Sequence, residues 1–366
     1  MQLRDLNRQY EALKGELDEA MLRTAASGAY IMGEAVAELE QRLACYVGVK
    51  HCISCASGTD ALRLALMALG VGLGDAVFVP DFTFFATAEA VALQGATPIM
   101  VDVDANDFNI NPDDLLAKYR YLTAHSSLRP VAVIAVDLFG RPADYDRLQP
   151  LCRSLQLHLI EDGAQGFGGM LQQSRACSFG DIATTSFFPA KPLGCYGDGG
   201  ALFTDNDDWA DRLRSLRVHG KGTDKYDNVR IGLNSRLDTL QAAVLLVKLR
   251  HFDSELKAVD RIARRYNELL QGKAILPTLP DGVSASWAQY TIQVEQRDAL
   301  RSKLLEAGIP SAVYYPRTMQ RQSAFAAIGH LQQPCPVADR LTERVLSLPM
   351  HPYLTDEEME LVARTI

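Results

Sequence analysis

Short β-rich runs alternate with helical runs between residues 51 and 204, and this alternation constrains the fold more than any other feature of the chain. The strand candidates are His51–Cys55, Ala76–Pro80, Pro98–Val103, Val131–Asp137, Leu157–Glu161, Ile182–Phe188 and Gly200–Thr204. The helix candidates among them are Asp60–Leu69, Thr87–Gln94, Asp113–Tyr119 and Asp144–Leu155. The alternation predicts an α/β fold in which a mainly parallel sheet is covered by helices on both faces.

The pattern changes in the C-terminal third of the chain. A long helix is predicted from Ser235 to about Leu270, and it leads into a second unit. The elements predicted there are strands near Gln289–Val294 and Ser311–Tyr315 and helices near Arg297–Ala307 and Val337–Val345. We therefore predict a large domain over residues 1–245 and a smaller C-terminal α+β domain over residues 246–366.

Composition and charge exclude several classes of protein. The chain has 366 residues, of which 48% are hydrophobic, enough for a large core. Its net charge of −8 argues against nucleic acid as the main partner. The N-terminus Met1–Asp5 is charged, unlike a signal peptide, and no apolar run approaches the ~18 residues that a membrane span needs. We expect a cytoplasmic protein with no membrane partner.

The cysteines predict neither a disulfide framework nor a metal site. There are seven of them, an odd number scattered through the chain, as expected for reduced and buried thiols. Cys52 and Cys55 form a single CxxC motif. A zinc site needs further ligands at suitable spacing, and the sequence has no second CxxC and no HxxxH. We expect packing roles, with a redox or metal role for Cys52 and Cys55 as the alternative.

Lys191 stands in the most informative segment, Ser186–Ala201, between a β-rich run and a glycine-dense loop. A lysine among aromatic and small residues loses hydration, which favours its neutral amine. A neutral amine can attack an aldehyde and form a Schiff base. Ser186, five residues earlier, can hold an anion on the same side. The alternative interpretation of Lys191 is a solvated loop lysine.

Asp162 directly follows the strand candidate Leu157–Glu161, at the edge where parallel sheets bind ligands. A buried carboxylate without a partner is costly, so Asp162 needs a cation. A protonated pyridine nitrogen would serve, and so would an arginine such as Arg175. A lysine that forms a Schiff base and an aspartate for a pyridinium nitrogen are what pyridoxal phosphate (PLP) requires of a protein.

Two further segments offer groups for a phosphate and for an aromatic ring. Gly58 and Thr59 stand where a strand turns into a helix, and a helix N-terminus attracts phosphate, although an ordinary helix cap supplied by Ser57 or Thr59 is an equally good explanation. Phe84 lies on a loop after a strand, where a core position is the ordinary interpretation.

Asn234 and Arg236 are predicted to begin the long helix, where capping alone would explain them. Arg236 can also clamp a carboxylate or phosphate through two hydrogen bonds, or pair with Asp238 or another neighbour.

The segment Ser186–Ala201 resembles the lysine segment of the fold-type I, PLP-dependent sugar-nucleotide aminotransferases, the DegT/StrS family. Further similar segments follow the family's order: Gly33–Val36 with Tyr46–Gly48, Ala56–Leu62, Phe82–Ala88 and Asn234–Asp238. The resemblance runs from about the first helix to Leu348–Pro352. It implies a three-layer fold-type I architecture with a smaller C-terminal domain.

The resemblance also implies roles for individual residues. Lys191 would bind PLP and move a proton, and Asp162 would keep the ring nitrogen protonated. Gly58, Thr59 and Ser186 would surround the phosphate, Phe84 would stack on the ring and Gln165 would bond its 3-oxygen. Asn234 would reach the phosphate of the neighbouring subunit, so the resemblance implies a homodimer with shared sites.

Pro192–Asp198 looks most like the segment of enzymes that aminate UDP-2-acetamido-3-oxo-glucuronate at its third carbon in bacterial O-antigen, hence lipopolysaccharide, biosynthesis. L-Glutamate is the expected amino donor in two half-reactions. A uronate carboxylate would need a cation such as Arg236 or Arg317. The competing substrates are UDP- or dTDP-4-keto-6-deoxy sugars, aminated at the fourth carbon.

Three positions depart from the family pattern. Gly163 replaces an alanine, Tyr314-Tyr315-Pro316 replaces a His-Tyr-Pro segment, and Thr318 stands where a proline is usual. The first change leaves the cofactor chemistry intact. The other two leave open whether Tyr314, Tyr315 and Arg317 contact the substrate.

Proteins of other classes give two alternatives. A nicotinamide oxidoreductase should carry its glycine fingerprint after a strand, but Gly70–Gly74 follows a helix candidate and precedes a strand candidate, so we set this alternative aside. A sugar dehydratase or a non-catalytic regulator could use the same scaffold. Dehydratase relatives carry histidine in place of the lysine, and Lys191 argues against that function.

Overall fold

A seven-stranded sheet forms the centre of the structure, a computed structural model that describes residues 1–224 and 226–366. Its strands are β1 (His51–Cys55), β2 (Asp75–Pro80), β3 (Thr97–Val101), β4 (Arg129–Val136), β5 (His158–Asp162), β8 (Ile182–Ser186) and β9 (Gly200–Thr204). They lie in the order β1-β9-β8-β5-β4-β2-β3. Only β9 runs against its neighbours, so the predicted mainly parallel sheet is confirmed.

Helices cover both faces of this sheet. The α-helices of the described residues are α1 (Leu6–Ser27), α2 (Glu34–Val47), α3 (Gly58–Leu69), α4 (Phe85–Leu93), α5 (Pro112–His125), α6 (Tyr145–Leu155), α7 (Asp207–Leu216), α8 (Thr239–Leu269), α9 (Arg297–Glu306), α10 (Pro336–Arg344) and α11 (Asp356–Thr365). One face packs against α3, α4, α7 and α10, and the other against α2, α5, α6 and α8. The result is the three-layer α/β fold that the alternation predicted.

Burial on both faces explains the composition of the strands. Every residue of β2 is buried, and so are residues 132–136 of β4. Parallel strands covered on two sides must be apolar along their whole length, which is why they read as continuous hydrophobic runs. Cys52 and Cys55 of β1 pack into cores on opposite faces of the sheet, so the two thiols do not face one another.

The C-terminal part of the chain adds a second, smaller sheet. β11 (Tyr290–Gln293) pairs with β12 (Val345–Leu348), and both pack with α9, α11 and the second half of α8. Three short strands, β6 (Met170–Leu171), β7 (Ser174–Arg175) and β10 (Val283–Ser284), form a further small sheet. The domain boundary between residues 245 and 246 stays a prediction; it falls inside α8, whose two halves pack in different cores.

Two sequence predictions were wrong in this region. The long helix begins at Thr239 with Asp238 as its N-cap, not at Ser235. Ser311–Tyr315 forms no strand, and only Ala312 makes a single bridge, to Ser347 of β12. Proline on both sides of this segment, at 310 and 316, restricts the chain and removes hydrogen-bond donors, which disfavours a regular strand.

Within the described residues, the structure contains no helix that combines the length and the apolarity required to span a bilayer.

Candidate active site

The carboxyl ends of several parallel strands meet at one edge of the large sheet. β5 ends at Asp162 and β8 ends at Ser186, and the two strands are neighbours. At the same edge, α3 begins at Gly58 shortly after β1, and the loop after β2 carries Phe84. Open parallel sheets bind ligands at this edge. Residues that are far apart in the sequence are therefore brought to one site.

Asp162 is buried, with 5% of its surface exposed, and its carboxylate is held by hydrogen bonds. The hydroxyl of Thr87 donates to Oδ2 over 3.0 Å, and the backbone N–H of Ala164 donates to Oδ1 over 3.2 Å. Burial raises the pKa of Asp162, while the charge of Lys191 and these two hydrogen bonds oppose the rise. The carboxylate is fixed in orientation but still needs a cation.

Lys191 provides the positive charge that acts on Asp162. Burial lowers the pKa of its amine, the negative charge of Asp162 raises it, and the positive charge of Arg4 lowers it further. Arg175, the alternative partner of Asp162, lies elsewhere. Its guanidinium stacks 4.0 Å from the ring centre of Tyr46 and contacts Asp253 over 3.8 Å. Asp162 and Lys191 therefore form an electrostatically coupled pair, and Lys191 is half-buried rather than fully exposed.

The N-terminus of α3 is free to receive an anion. Ser57 caps the helix, because its Oγ accepts a hydrogen bond from the backbone N–H of Asp60 over 3.1 Å. The first N–H groups of a helix, here those of Gly58 and Thr59, have no intrahelical acceptor. Ser186 lies against this turn so closely that a Cβ at Gly58 would come within 2.6 Å of the Ser186 Cβ. The capping role predicted as an alternative thus falls to Ser57.

Phe84 and Tyr315 face the same region from different parts of the chain. Phe84 is 54% exposed, so it is not the core residue that its sequence position suggested. Its ring centre lies 6.3 Å from that of Tyr315. The Tyr315 hydroxyl accepts a hydrogen bond from Nε2 of Gln165 over 3.1 Å, and Tyr314 packs beside it. The C-terminal unit therefore reaches the carboxyl edge of the sheet through Tyr315.

Gln165 is already engaged by the protein. Its Oε1 accepts a hydrogen bond from the backbone N–H of Phe139 over 2.7 Å, and its Nε2 donates to Tyr315. An amide nitrogen has two hydrogens, so one N–H remains for a ligand. The predicted contact with a cofactor oxygen can use only that hydrogen.

Asn234 and Arg236 lie in an extended segment before α8, not at its start as predicted. Both line a cleft of about 480 Å³ together with Ala56, Gly197 and Asp198. Asn234 is exposed and Arg236 is half-buried.

The predicted partner of Arg236 is not found. Among residues 1–224 and 226–366, Arg236 makes no ion pair, with Asp238 or otherwise, and neither does the exposed Arg317. Both guanidinium groups are therefore available for an anionic ligand.

These residues fit PLP by their chemistry. The free N–H groups of α3 suit its phosphate, Asp162 suits a protonated ring nitrogen, and the exposed ring of Phe84 suits an aromatic partner. Lys191 supplies an amine whose neutral form is favoured by burial. No metal is required, and no group of three or more candidate metal ligands occurs in the described part of the chain.

The chain belongs to the DegT/DnrJ/EryC1/StrS aminotransferase family, which it matches over residues 11–366. It resembles the UDP-2-acetamido-2-deoxy-3-oxo-D-glucuronate aminotransferase of Pseudomonas aeruginosa, with 42% identity over 99% of this chain and 98% of the relative. It is also 40% identical to a UDP-N-acetyl-3-dehydro-alpha-D-glucosamine 3-aminotransferase of Acidithiobacillus ferrooxidans, over 99% of this chain and 96% of the relative. A pleiotropic regulatory protein of Geobacillus stearothermophilus is 39% identical over the same shares of the two chains.

Solved structures support the same assignment. A DegT/DnrJ/EryC1/StrS aminotransferase from Brucella abortus superimposes with a TM-score of 0.98 and 49% identity, covering 100% of this chain and 98% of that one. A putative sugar aminotransferase from Streptococcus pneumoniae is known in PLP and PMP forms, with a TM-score of 0.86 and 26% identity over 96% of this chain and 95% of that one. The protein is a PLP-dependent sugar aminotransferase with the fold-type I architecture.

Sequence reasoning missed two residues next to the site. Thr87 stands in the segment Phe82–Ala88, which carried the resemblance, but nothing in its spacing indicated the hydrogen bond to Asp162. Arg4 is 187 residues away from Lys191 in the sequence, and its side chain donates to the backbone of the lysine segment. Contacts of this kind leave no periodic signal in a sequence.

We predict that Gly58→Ala weakens PLP binding about tenfold, because the new Cβ overlaps Ser186 and overpacking typically costs 1–3 kcal/mol. Fluorescence titration of the cofactor-free protein measures the affinity. Gly15→Ala is the matched control, since a Cβ there meets nothing within 4 Å. Unchanged affinity in Gly58→Ala would show that the start of α3 does not hold the phosphate.

Proposed function

We propose that this protein transfers the amino group of L-glutamate to the third carbon of UDP-2-acetamido-3-oxo-glucuronate. It would act in the cytoplasm and serve the synthesis of a bacterial surface polysaccharide such as O-antigen. The coupled pair of Lys191 and Asp162 carries the proposal for the amino transfer. The relatives named for 3-oxo sugar nucleotides, at 42% and 40% identity over nearly the whole chain, support the choice of substrate.

Bound PLP supplies an electron sink for the carbon that carries the amino group. Asp162, oriented by Thr87 and Ala164, would hold a proton on the ring nitrogen by its negative charge. The amine of Lys191 would take the proton from the α-carbon of glutamate and would then give this proton to the cofactor. Its lowered pKa serves this task, because only the neutral amine is a base.

The two unpaired arginines support an anionic sugar substrate. Arg236 lines the cleft beside Gly197 and Asp198 of the lysine segment, and neither it nor Arg317 pairs with an acidic side chain in the described residues. A guanidinium binds a carboxylate through two parallel hydrogen bonds, which distinguishes a uronate from a 6-deoxy sugar. Tyr314 and Tyr315 would contact the sugar from the C-terminal unit. Amination of a 4-keto-6-deoxy sugar nucleotide is the competing function.

We also propose that the active unit is a homodimer with shared sites. Ile31 is 49% exposed and Ile231 is 91% exposed, although both are large apolar residues. Ile31 lines the same cleft as Asn234, so an apolar surface adjoins the proposed site. A second chain packed on this surface would remove it from water. In such a dimer, Asn234 of one chain would reach the cofactor phosphate in the site of the other.

The substrate assignment predicts a ranked result with a panel of keto-sugar nucleotides and L-glutamate. UDP-2-acetamido-3-oxo-glucuronate should give the highest kcat/KM. The analogue with a hydroxymethyl group in place of the carboxylate should have a kcat/KM at least about tenfold lower, the size of one charge-assisted hydrogen bond. Formation of 2-oxoglutarate measures turnover. Arg236→Gln should erase this preference for the uronate. A higher kcat/KM for a 4-keto-6-deoxy sugar would overturn the assignment.

The role of Lys191 predicts where PLP becomes attached on borohydride reduction. Peptide mapping should find the label on Lys191 alone, and Lys191→Ala should lose the label and essentially all turnover. Lys118→Met is the matched control, because Lys118 is a buried lysine that donates to the carbonyls of Gln333 and Pro334 and not to the loop that carries Lys191. A label on any other lysine would contradict the role of Lys191.

Site sharing predicts rescue in a mixed dimer of Lys191→Ala and Asn234→Asp chains. The second change sets a carboxylate where the partner's phosphate would lie. Co-expression with two affinity tags and tandem purification isolates the heterodimer. If sites are shared, one site carries both changes and the other carries neither, so activity returns. If each chain completes its own site, every site keeps one change and the heterodimer stays inactive.

A further inference from the structure

Arg4, from the segment before α1, reaches the backbone of the lysine loop. Its Nη2 donates to the carbonyl oxygen of Lys191 over 3.0 Å and lies 3.3 Å from that of Pro192. We infer that Arg4 is a positioning residue for Lys191, which anchors the backbone of that lysine and keeps a positive charge beside its amine. The inference rests on the proposed role of Lys191 and deepens it.

The loop that carries Lys191 has little regular structure of its own. It follows β8, and the backbone N–H of Lys191 donates to the carbonyl of Phe188 over 2.8 Å. Lys248 of α8 donates to the carbonyl of Gly194 over 2.8 Å, so two cations hold three carbonyls of this loop. Charge-assisted hydrogen bonds are about twice as strong as neutral ones. Arg4 and Lys248 are thus the cationic anchors of the loop, and Gln241 of α8 adds hydrogen bonds to the backbone of Tyr196.

The charge of Arg4 acts on the lysine amine as well. After burial, the charged groups that set the pKa of Lys191 are Asp162, which raises it, and Arg4, which lowers it. Burial lowers the pKa of Arg4 itself and Glu255 of α8 raises it, but an arginine stays protonated at any physiological pH. Arg4 therefore offsets part of the effect of Asp162 and favours the neutral amine.

Glu255 of α8 is the carboxylate whose negative charge acts on both cations, Arg4 and Lys248. Its carboxylate accepts hydrogen bonds from Nε2 of Gln9 over 2.9 Å and from the hydroxyl of Tyr353 over 2.7 Å. Glu255 also raises the pKa of Lys248, whereas burial, the largest influence, and Arg4 lower it. Together these influences lower the pKa of Lys248 to about 8. The cations under the loop are thus balanced by one carboxylate on α8.

The N-terminal segment is held independently of the loop. The backbone N–H of Met350 donates to the carbonyl of Leu3 over 3.0 Å. Arg8 pairs with Glu358 over 2.7 Å and donates to the carbonyl of Tyr353 over 2.9 Å. Arg8 thus anchors the same segment as Arg4 without a hydrogen bond to the loop, which makes it the matched control for loss of anchoring alone.

The test measures the pH dependence of Lys191 methylation in the full-length, cofactor-free protein. Trace reductive methylation with deuterated formaldehyde, followed by mass spectrometry of the Lys191 peptide, reports the fraction of neutral amine. Arg4→Leu and Arg4→Gln should shift the titration of Lys191 to higher pH, because loss of a nearby positive charge favours the protonated amine. Arg4→Lys should keep the wild-type titration. Rebinding of PLP confirms that each sample is folded.

The positioning role predicts a separate effect on turnover. Arg4→Leu should lower kcat of the holoenzyme about tenfold with an unchanged KM for glutamate, the size expected for loss of a charge-assisted hydrogen bond. Arg4→Gln retains N–H donors and should lose less. The inference is overturned if Arg4→Gln leaves the Lys191 titration unchanged, or if Arg8→Gln shifts it as far as Arg4→Leu does. Because the titration of Lys191 is measured without cofactor, its result is independent of the borohydride experiment, which tests the proposed role of Lys191 itself.

Discussion

The electrostatic coupling between Lys191 and Asp162 is the interaction on which the rest of the site depends. Each group is recessed from water, and for each one burial disfavours the charged form while the other group favours it. The adjacent parallel strands β5 and β8 lead into these residues, so the sheet brings them together. The proposed chemistry makes two opposite demands of the pair: the carboxylate of Asp162 should stay charged, and the amine of Lys191 should be able to become neutral. Thr87 serves the first demand and Arg4 the second.

The site is completed by parts of the chain that lie far outside the parallel sheet. Tyr315 comes from the C-terminal unit and is linked to the carboxyl edge of the sheet through Gln165. Arg4 comes from the N-terminal segment, which is itself held by Met350. The sheet thus supplies the proposed reactive pair, while the N-terminal segment and the C-terminal unit contribute to its surroundings. A displacement of either end would be transmitted to Lys191 or to Gln165 through single hydrogen bonds.

Much of the fold could be predicted because its physical causes are local. Strands buried on both faces must be apolar throughout, so all seven strands of the large sheet coincided with predicted runs to within one or two residues at most ends. The failures were equally physical. Ser311–Tyr315 has strand-like composition but lies between prolines, and the place beside β11 is taken by the fully buried β12. Asn234 and Arg236 looked like the start of α8, yet the helix begins only after Asp238.

By itself, the sequence determined the α/β class and the family to which the chain belongs, and it predicted the roles of Lys191 and Asp162, because each of these depends on short-range pattern or on ordered motifs. Only the tertiary structure decided which groups surround that pair. It assigned the cap of α3 to Ser57, engaged Gln165 with Phe139 and Tyr315, and brought Arg4 to the carbonyl of Lys191. Such contacts join residues from distant parts of the chain, and their geometry arises only when the sheet and the two chain ends are packed together.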